Sequence, residues 1–185
     1  ADDDRAALRK HLYAAINCHI LVVVGGVSVG KYDLVPAVLK DLGCDELFHG
    51  VAMKPGKPTL FALGPQGQLV FGLPGNPLSA LTTFHEFVAP AIRKMSGLAS
   101  PPLPKIFVRL DSDVSLDDRS RTRFWPARLV FDANAGSPLA LPIPAHSSAD
   151  VVAGGRCDGV LVLPSDKMKY RSGDVVEFHS WGPVL

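Results

Sequence analysis

Two segments of this chain share one local pattern, a short apolar run followed by a glycine-rich turn and a helix-forming stretch, and this pattern favours an α/β fold. In the first segment the run is residues 19–24 (HILVVV), whose β-branched composition is typical of a buried parallel strand. The turn GGVSVG covers residues 25–30, and apolar residues recur at helical spacing over 34–42. Gly43 is expected to end that helix, because glycine adopts the left-handed conformation that helix ends favour.

The second segment repeats the pattern, with a strand predicted at residues 68–71 and the turn GLPGNPLS over 72–79. Asn76 suits an N-cap, and the apolar stripe over 78–95 predicts a helix that Pro90 should kink. A strand, a glycine turn and a helix in this order direct backbone N–H groups and a positive helix end at an anion. The chain is therefore predicted to bind an anionic group at these turns.

Between the two turns lies a proline-framed pair of lysines, in the sequence KPGKP over residues 54–58. Lys54 and Lys57 each precede a proline, which biases both towards extended backbone, and Gly56 permits a sharp local path. Two ammonium groups on a stiff loop suit a small oxyanion or a phosphate. The alternative interpretation is a solvated surface turn.

The first glycine turn does not fit the common nucleotide-binding motifs. Tyr32 stands where a P-loop needs a Ser or Thr for Mg²⁺, and the glycine spacing differs from the dinucleotide motif. Asp33 follows at the helix start, where it either holds a hard cation or simply complements the helix dipole. In the second helix, Ser79 either offers its hydroxyl to an anion or bonds locally.

Three motifs in order, G-G-V-S-V-G-x-x-D, F-H-G-V-A-M-K-P-G-K-P and G-L-P-G-N-P-L-S-A, resemble those of the molybdopterin molybdenumtransferase family, to which gephyrin's E domain is related. The resemblance implies a three-layer α/β molybdopterin-binding domain with a mostly parallel sheet and flanking helices. A small all-β, barrel-like C-terminal domain should follow it. The implied reaction inserts molybdate into adenylylated molybdopterin, releases AMP and uses Mg²⁺.

The same resemblance implies roles for particular residues. The residues implied in catalysis are Asp33, Lys54 and Lys57, with Asp33 as the Mg²⁺ ligand. Those implied to bind molybdate are Lys54, Lys57, Pro58, Ser79, Arg121 and Ser147. Those implied to bind the pterin nucleotide are Gly25, Gly26, Ser28, Gly30, Pro55, Gly56, Pro58, Gly72, Pro74, Gly75, Asn76 and Ser79. The chain departs from the family pattern at Gly50, where several relatives carry a lysine, at Arg123, which replaces an acid, and at Pro126, which replaces a frequent arginine.

The second half of the chain differs in composition from the first. Three prolines within residues 99–104 predict a semi-rigid linker between an α/β domain over 1–98 and a β domain over 105–185, with a loosely fixed mutual orientation. Short apolar runs predict strands at 105–110, 124–131, 159–163 and 175–178. Turns are predicted at 132–136, 154–155 and 172–174.

Composition excludes several classes of function. A net charge of +1 without a basic stripe argues against nucleic-acid binding, and no apolar stretch is long enough to predict a membrane span. Cys18, Cys44 and Cys157 have no metal-ligand spacing and indicate reduced thiols in a cytoplasmic protein. His146 and Ser147 do not indicate a hydrolase, because no G-x-S-x-G motif is present.

The resemblance covers only the C-terminal portion of the family, so we expect this stretch to be inactive without the preceding half. It also implies a homodimer, with possible contacts to an adenylyltransferase or to cofactor-accepting enzymes. One alternative, a molybdopterin adenylyltransferase, is disfavoured by the predicted β domain. The other, a gephyrin-like receptor scaffold, stays open.

Overall fold

The fold was analysed in a computed structural model, which describes residues 4–28, 33–98, 105–131, 138–144 and 147–182. The helices are α1 (Arg5–Ala15), α2 (Val35–Asp41), α3 (Pro77–Thr83), α4 (Ala89–Met95) and α5 (Val151–Arg156), with a π-helical turn at Phe84–Val88. The strands of the first half are β1 (Ile20–Val24), β2 (Asp45–His49), β3 (Met53–Lys54), β4 (Leu60–Leu63) and β5 (Leu69–Leu73). Those of the second half are β6 (Lys105–Leu110), β7 (Val114–Ser115), β8 (Thr122–Val130), β9 (Leu139–Pro142), β10 (Gly159–Leu163), β11 (Lys169–Tyr170) and β12 (Val175–Ser180).

The first sheet has the strand order β1-β5-β4-β2 and is mixed rather than mostly parallel. The pair β1/β5 is parallel, with Leu21 opposite Val70, whereas β5/β4 and β4/β2 are antiparallel. The prediction of a mostly parallel sheet is therefore wrong for the described residues. The physical reason is that β4 and β5 are joined by only residues 64–68, and so short a connection returns the chain antiparallel.

Two apolar clusters pack on this sheet. One joins Leu12 of α1 and Val38 of α2 to Leu21 and Val70, and the other joins Phe71 and neighbouring side chains to the helical segment after β5. Alternate residues along β1 and β5 enter different clusters, as expected for strands covered on both faces. The core thus holds the C-terminal ends of β1 and β5, and the glycine turns that follow them, in fixed positions.

The helix predicted from the apolar stripe over 78–95 is interrupted before Pro90. Residues Phe84–Val88 form a π-helical turn, and the Ala89 N–H donates to the carbonyl of Phe84. Proline has no N–H to donate, and its ring would crowd the carbonyl four residues earlier, that of Glu86. The wider π turn precedes Pro90, which lies in the first turn of α4. The sequence predicted a disturbance here but not its form.

The second half forms a closed barrel of five strands, as the sequence predicted. The strand order is β10-β12-β6-β9-β8, and an additional β10/β8 pairing closes the ring. Its core is formed by fully buried side chains such as Val108, Leu161 and Phe178. A separate two-stranded ribbon pairs β7 with β11.

The turn predicted at 154–155 is wrong, because these glycines lie inside α5. The Asp150 carboxylate caps this helix by accepting a hydrogen bond of 2.9 Å from the Ala153 N–H. A Cβ on Gly154 would lie 3.2 Å from a methyl of Leu81, so glycine at this position allows α5 to pack closely on α3. The predicted linker 99–104 and the turn 132–136 lie outside the described residues.

The two halves of the chain contact each other directly. Strand β3 from the first half joins the barrel sheet parallel to β8, with Lys54 opposite Arg123. Glu86 of the first half accepts a hydrogen bond of 2.8 Å from His179 of β12. Strand β3 and Glu86 thus connect the two halves, while the domain limits at 98 and 105 and the loosely fixed orientation stay predictions. Within the described part of the chain, no helix has both the length and the apolarity to cross a membrane.

Candidate functional site

The two glycine turns lie side by side at the ends of the parallel strands β1 and β5. The Gly25 N–H donates to the carbonyl of Leu73 at 2.9 Å, which continues the pairing of the strands into the turns. A Cβ on Gly75 would lie 3.4 Å from the Gly25 Cα. Gly25 and Gly26 have φ values of 88° and 67°, which favour glycine. The structure therefore brings the two predicted anion-binding turns together.

The KPGKP loop is held between the barrel and α3. Its start, β3, pairs with β8, and the Lys54–Pro55 peptide is cis. Gly56 has a φ of 114°, and a Cβ added there would lie 2.6 Å from the Cγ2 methyl of Thr83 in α3. The side chain of Lys57, after the turn, is exposed. The loop geometry thus places the two lysines in different surroundings.

A cavity of about 180 Å³ opens beside Lys54. Its lining includes three of the residues that the resemblance implied for the site, namely Lys54, Pro55 and Ser147. The other lining residues are Leu78, Asp117, Arg123, Phe124, Trp125, Pro126 and Ser148. The cavity therefore combines residues from both halves of the chain.

Charged side chains converge at this cavity. The Lys54 ammonium donates to Asp117 at 2.6 Å and lies 3.4 Å from Asp118, and the Arg123 guanidinium also pairs with Asp117. Hydrogen bonds from the side chain and the backbone N–H of Ser120, and a weaker contribution from Lys54, lower the pKa of Asp118 to about 2. Burial lowers the pKa of the Arg123 guanidinium, which still stays protonated because arginine does not deprotonate in proteins.

A serine pair connects α3 to the segment before α5. Asn76 precedes the first residue of α3 as predicted, but its side chain does not cap the helix; its Nδ2 donates to the Ser148 hydroxyl at 2.7 Å. The Ser79 N–H donates to the carbonyl of Ser148 at 3.3 Å. The Ser147 hydroxyl accepts from the Ala149 N–H at 3.2 Å. These bonds fix the two serines at the cavity edge.

Several predicted site residues do not line this cavity in the described structure. Lys57 is exposed, Ser79 is buried at 3% exposure, and Arg121 donates to the Ser120 hydroxyl at 3.3 Å instead. Asp33 lies two residues before α2. Ser28 is exposed at the edge of the first turn, and Pro58 ends the KPGKP loop. Gly72 lies in β5, and Pro74 and Gly75 follow directly after this strand. Gly30 lies outside the described residues.

Arg123 and Trp125 are two of the seven lining residues that sequence reasoning did not assign to the site. They are two apart on β8, so their side chains share one face of the strand. The side chain of Arg123 is only 13% exposed, and the Trp125 indole Nε1 is buried without a hydrogen-bond partner in the described structure. The sequence signal that could have found this strand face is an arginine followed two residues later by a tryptophan, since residues i and i+2 of a strand share a face.

Metal-binding groups are sparse in the part of the chain that is described. No cluster of three or more His, Cys, Asp or Glu side chains able to hold a metal occurs there. Asp33 is partly buried next to the first glycine turn and has an interaction of its own. An all-protein metal cage is therefore not present among the described residues.

Comparisons with known proteins match both halves of the chain. Residues 1–94 match the family described as "Probable molybdopterin binding domain", and residues 108–181 match the "MoeA C-terminal region (domain IV)". A molybdopterin molybdenumtransferase of Synechocystis is 32% identical over 98% of this chain and 43% of its own length, and one of Nostoc is 35% identical over 92% and 40%. The crystal structure of a molybdopterin biosynthesis MoeA protein from Pyrococcus horikosii has 31% identity and a TM-score of 0.79, covering 98% of this chain and 42% of that one.

The chain thus spans about two fifths of the length of these relatives. The matches include the strand–turn–helix segments, the KPGKP loop and most of the barrel, and the cavity is lined by residues of the KPGKP loop, α3, β8 and the segments before β8 and α5. The adjacent glycine turns, the attached five-stranded barrel and these matches agree, and the chain belongs to the molybdopterin molybdenumtransferase family.

Proposed function

We propose that this chain forms part of a molybdenum insertion site, at which molybdate enters adenylylated molybdopterin and AMP is released. The observation that carries the proposal is the contact of Gly25 with Gly75 at the ends of β1 and β5. Two adjacent glycine turns at strand ends are an arrangement that can offer backbone N–H groups to a pyrophosphate. The first half would then be the three-layer molybdopterin-binding domain.

In this proposal the cations serve different parts of the substrates. Lys54, at the cavity, binds the molybdate oxyanion, and Ser147 supplies a hydroxyl at its edge. Lys57, exposed beyond Gly56, adds a second charge for the molybdate and contacts the pyrophosphate of the pterin nucleotide. Donors arranged in advance around a site where negative charge develops stabilise it without reorganisation. Pro58, Ser79 and Arg121 stay predicted molybdate contacts.

Asp33 is the residue proposed to hold Mg²⁺. Magnesium is usually bound by one or two carboxylates together with substrate phosphates and water, rather than by an all-protein cage. A single carboxylate beside the first glycine turn fits this mode of Mg²⁺ coordination. When bound, the ion polarises the phosphoanhydride, while Asp33 positions it and the glycine turns hold the phosphates.

The remaining parts of the proposal concern partners and location. We infer a homodimer and contacts with an adenylyltransferase or a cofactor-accepting enzyme from the family alone, and a cytoplasmic location from the unpaired cysteines. The barrel that follows the α/β half favours a molybdenumtransferase over an adenylyltransferase.

Calorimetric titration of the purified protein with molybdate tests the site. A charge-assisted hydrogen bond contributes roughly 1.5–3 kcal/mol, so Lys54→Ala and Lys57→Ala should each weaken binding by about tenfold or more. Lys10→Ala, on the exposed surface of α1, is the matched control and should bind as the wild type does. Unchanged affinity in the double Lys54/Lys57 variant would refute the assignment.

An AMP-release assay with adenylylated molybdopterin, on the protein extended to the length of its relatives, tests the Mg²⁺ ligand. Asp33→Asn should abolish Mg²⁺-dependent release while the thermal unfolding midpoint is kept. If Asp33 only complements the helix dipole, the variant should keep activity and lose about 0.3–1 kcal/mol of stability.

A further inference from the structure

Among the described residues, Asp117 is held at the cavity only by cations. Its carboxylate contacts the Lys54 ammonium at 2.6 Å and the Arg123 guanidinium, and its side chain is 61% exposed. It lies in the irregular segment between β7 and β8. Ion pairs of exposed groups are weak, because water competes with them. The exposed Asp117 carboxylate can therefore return to water when another anion takes its place beside these cations.

Its neighbour Asp118 is held in a different way. It accepts hydrogen bonds from the Ser120 N–H at 2.9 Å and from the Ser120 hydroxyl at 2.6 Å, which fix it within its own turn. Its distance to Lys54, 3.4 Å, is also longer than that of Asp117. Of the two acids, Asp117 is the one whose contacts are made only to the cavity cations.

Arg123 needs an anion more than Lys54 does. Its side chain is 13% exposed and that of Lys54 is 32% exposed, so the guanidinium has lost more of its contact with water. A buried cation is stable only when an anion or acceptors replace that water. Trp125 also lines the cavity, and its indole N–H, which can only donate, is buried without a hydrogen-bond partner among the described residues. The lining is thus rich in donors, and Asp117 supplies its one carboxylate.

We propose that Asp117 is an internal counter-ion that occupies the place of the oxyanion, and that a bound oxyanion displaces it and binds Arg123 together with Lys54. The ligand class is a small tetrahedral oxyanion, which a cavity of about 180 Å³ accommodates. The proposal deepens the function proposed above, since it concerns the same cavity. It makes Arg123 an anion-binding residue and Asp117 a competitor that weakens anion binding.

Titration calorimetry at low ionic strength, with molybdate and separately with inorganic phosphate, tests the competition. Asp117→Asn removes the competing charge and should tighten anion binding by about two- to fivefold, as expected for weak exposed ion pairs. The matched control is Asp166→Asn, which removes the same charge from an exposed position that does not line the cavity. Equal or weaker binding by Asp117→Asn, or no binding by either protein, would overturn the proposal.

Arg123 is tested in the same titrations. Arg123→Gln should weaken binding by about tenfold or more, and Arg123→Lys, which keeps the charge, should restore most of the affinity. The thermal unfolding midpoint of each variant shows whether it is folded. If Arg123→Gln is unstable, the double variant Arg123→Lys/Asp117→Asn is compared with Arg123→Lys alone. The competition predicts that the double variant binds the anion more tightly. Equal or weaker binding by the double variant would contradict it.

The chain has two tryptophans, so the indole N–H signals in a ¹⁵N NMR spectrum give an independent readout. Anion binding should shift the Trp125 signal, assigned with Trp125→Phe, and leave that of Trp181 in place. A Trp125 signal unaffected at saturating anion would overturn the location.

The two anions separate this proposal from the proposed function. Phosphate binding that Asp117→Asn tightens, without molybdate binding, would support the counter-ion and refute the molybdate assignment. Molybdate binding that depends on Lys54 but not on Asp117 would support the molybdate assignment and refute the counter-ion.

Discussion

Replacing Gly56 with alanine should destabilise the protein by two separate effects. At a φ of 114° a non-glycine residue carries backbone strain of about 1–3 kcal/mol. The new Cβ would also lie 2.6 Å from the Thr83 Cγ2 and 3.0 Å from the Met53 Sδ. Forcing an extra methyl into a packed site costs about 1–3 kcal/mol. We therefore expect Gly56→Ala to lower the free energy of unfolding by about 2–6 kcal/mol.

Two further variants separate strain from crowding. Gly67 also has a positive φ, 85°, but nothing lies within 4 Å of a Cβ added there, so Gly67→Ala should show only the strain. Thr83→Ser removes the crowded methyl and keeps the hydroxyl that donates to the Ser79 carbonyl at 2.8 Å. In the Gly56→Ala background this change should recover about 1–3 kcal/mol.

Urea unfolding followed by circular dichroism measures these differences, with molybdate titration as a second readout because Gly56 separates the two lysines. The reasoning fails if Gly56→Ala costs no more than Gly67→Ala. It also fails if Thr83→Ser destabilises the Gly56→Ala protein as much as it destabilises the wild type, since the crowding would then be absent.

Two other predictions concern α5 and the contact between the halves. Gly155→Ala should raise the free energy of unfolding by about 0.5–1 kcal/mol, since nothing lies within 4 Å of a Cβ added there and alanine favours a helix more than glycine does. A loss of stability in a thermal melt would contradict this prediction. Burial lowers the pKa of His179, but hydrogen bonds and charge interactions with Glu86 and Glu177 outweigh it, and the net pKa is raised. The stabilisation by protonated His179 is therefore full below its ordinary pKa of about 6.5 and is lost as the pH rises through the folded-state value. The stability difference between wild type and His179→Gln should be largest near pH 6 and shrink towards pH 9, and a difference that grows with pH would contradict this assignment.

Much of the local structure could be predicted from the sequence, because neighbouring residues determine it. Strand β1 and helix α2 follow from the β-branched run at 19–24 and the helical spacing after it, and Gly43 ends the helix with a φ of 81°. The barrel strands β6, β8, β10 and β12 were predicted from alternating apolar runs. These features depend on backbone preferences and side-chain periodicity over a few residues.

Other local features were misread where tertiary packing overrode the local preference. Gly154 and Gly155 are typical turn residues, yet they lie in α5, where Gly154 permits close approach to Leu81. Asn76 is typical of a side-chain cap, but its amide bonds to Ser148 instead. In both cases a partner more than 70 residues away in the chain decides the outcome.

The sequence by itself determined the family, the two glycine turns, the KPGKP loop and the presence of a β half. Only the tertiary structure decided which of the candidate cations meet: Lys54 and Arg123 share the cavity with Asp117, whereas Lys57 is exposed and Arg121 bonds to Ser120. The reason is that β3 pairs with β8 of the barrel and not with a strand of the first sheet, so that residues 54 and 123 become neighbours. Such a contact depends on the path of the whole chain and on side-chain direction along a strand, and neither is encoded in the residues adjacent to Lys54.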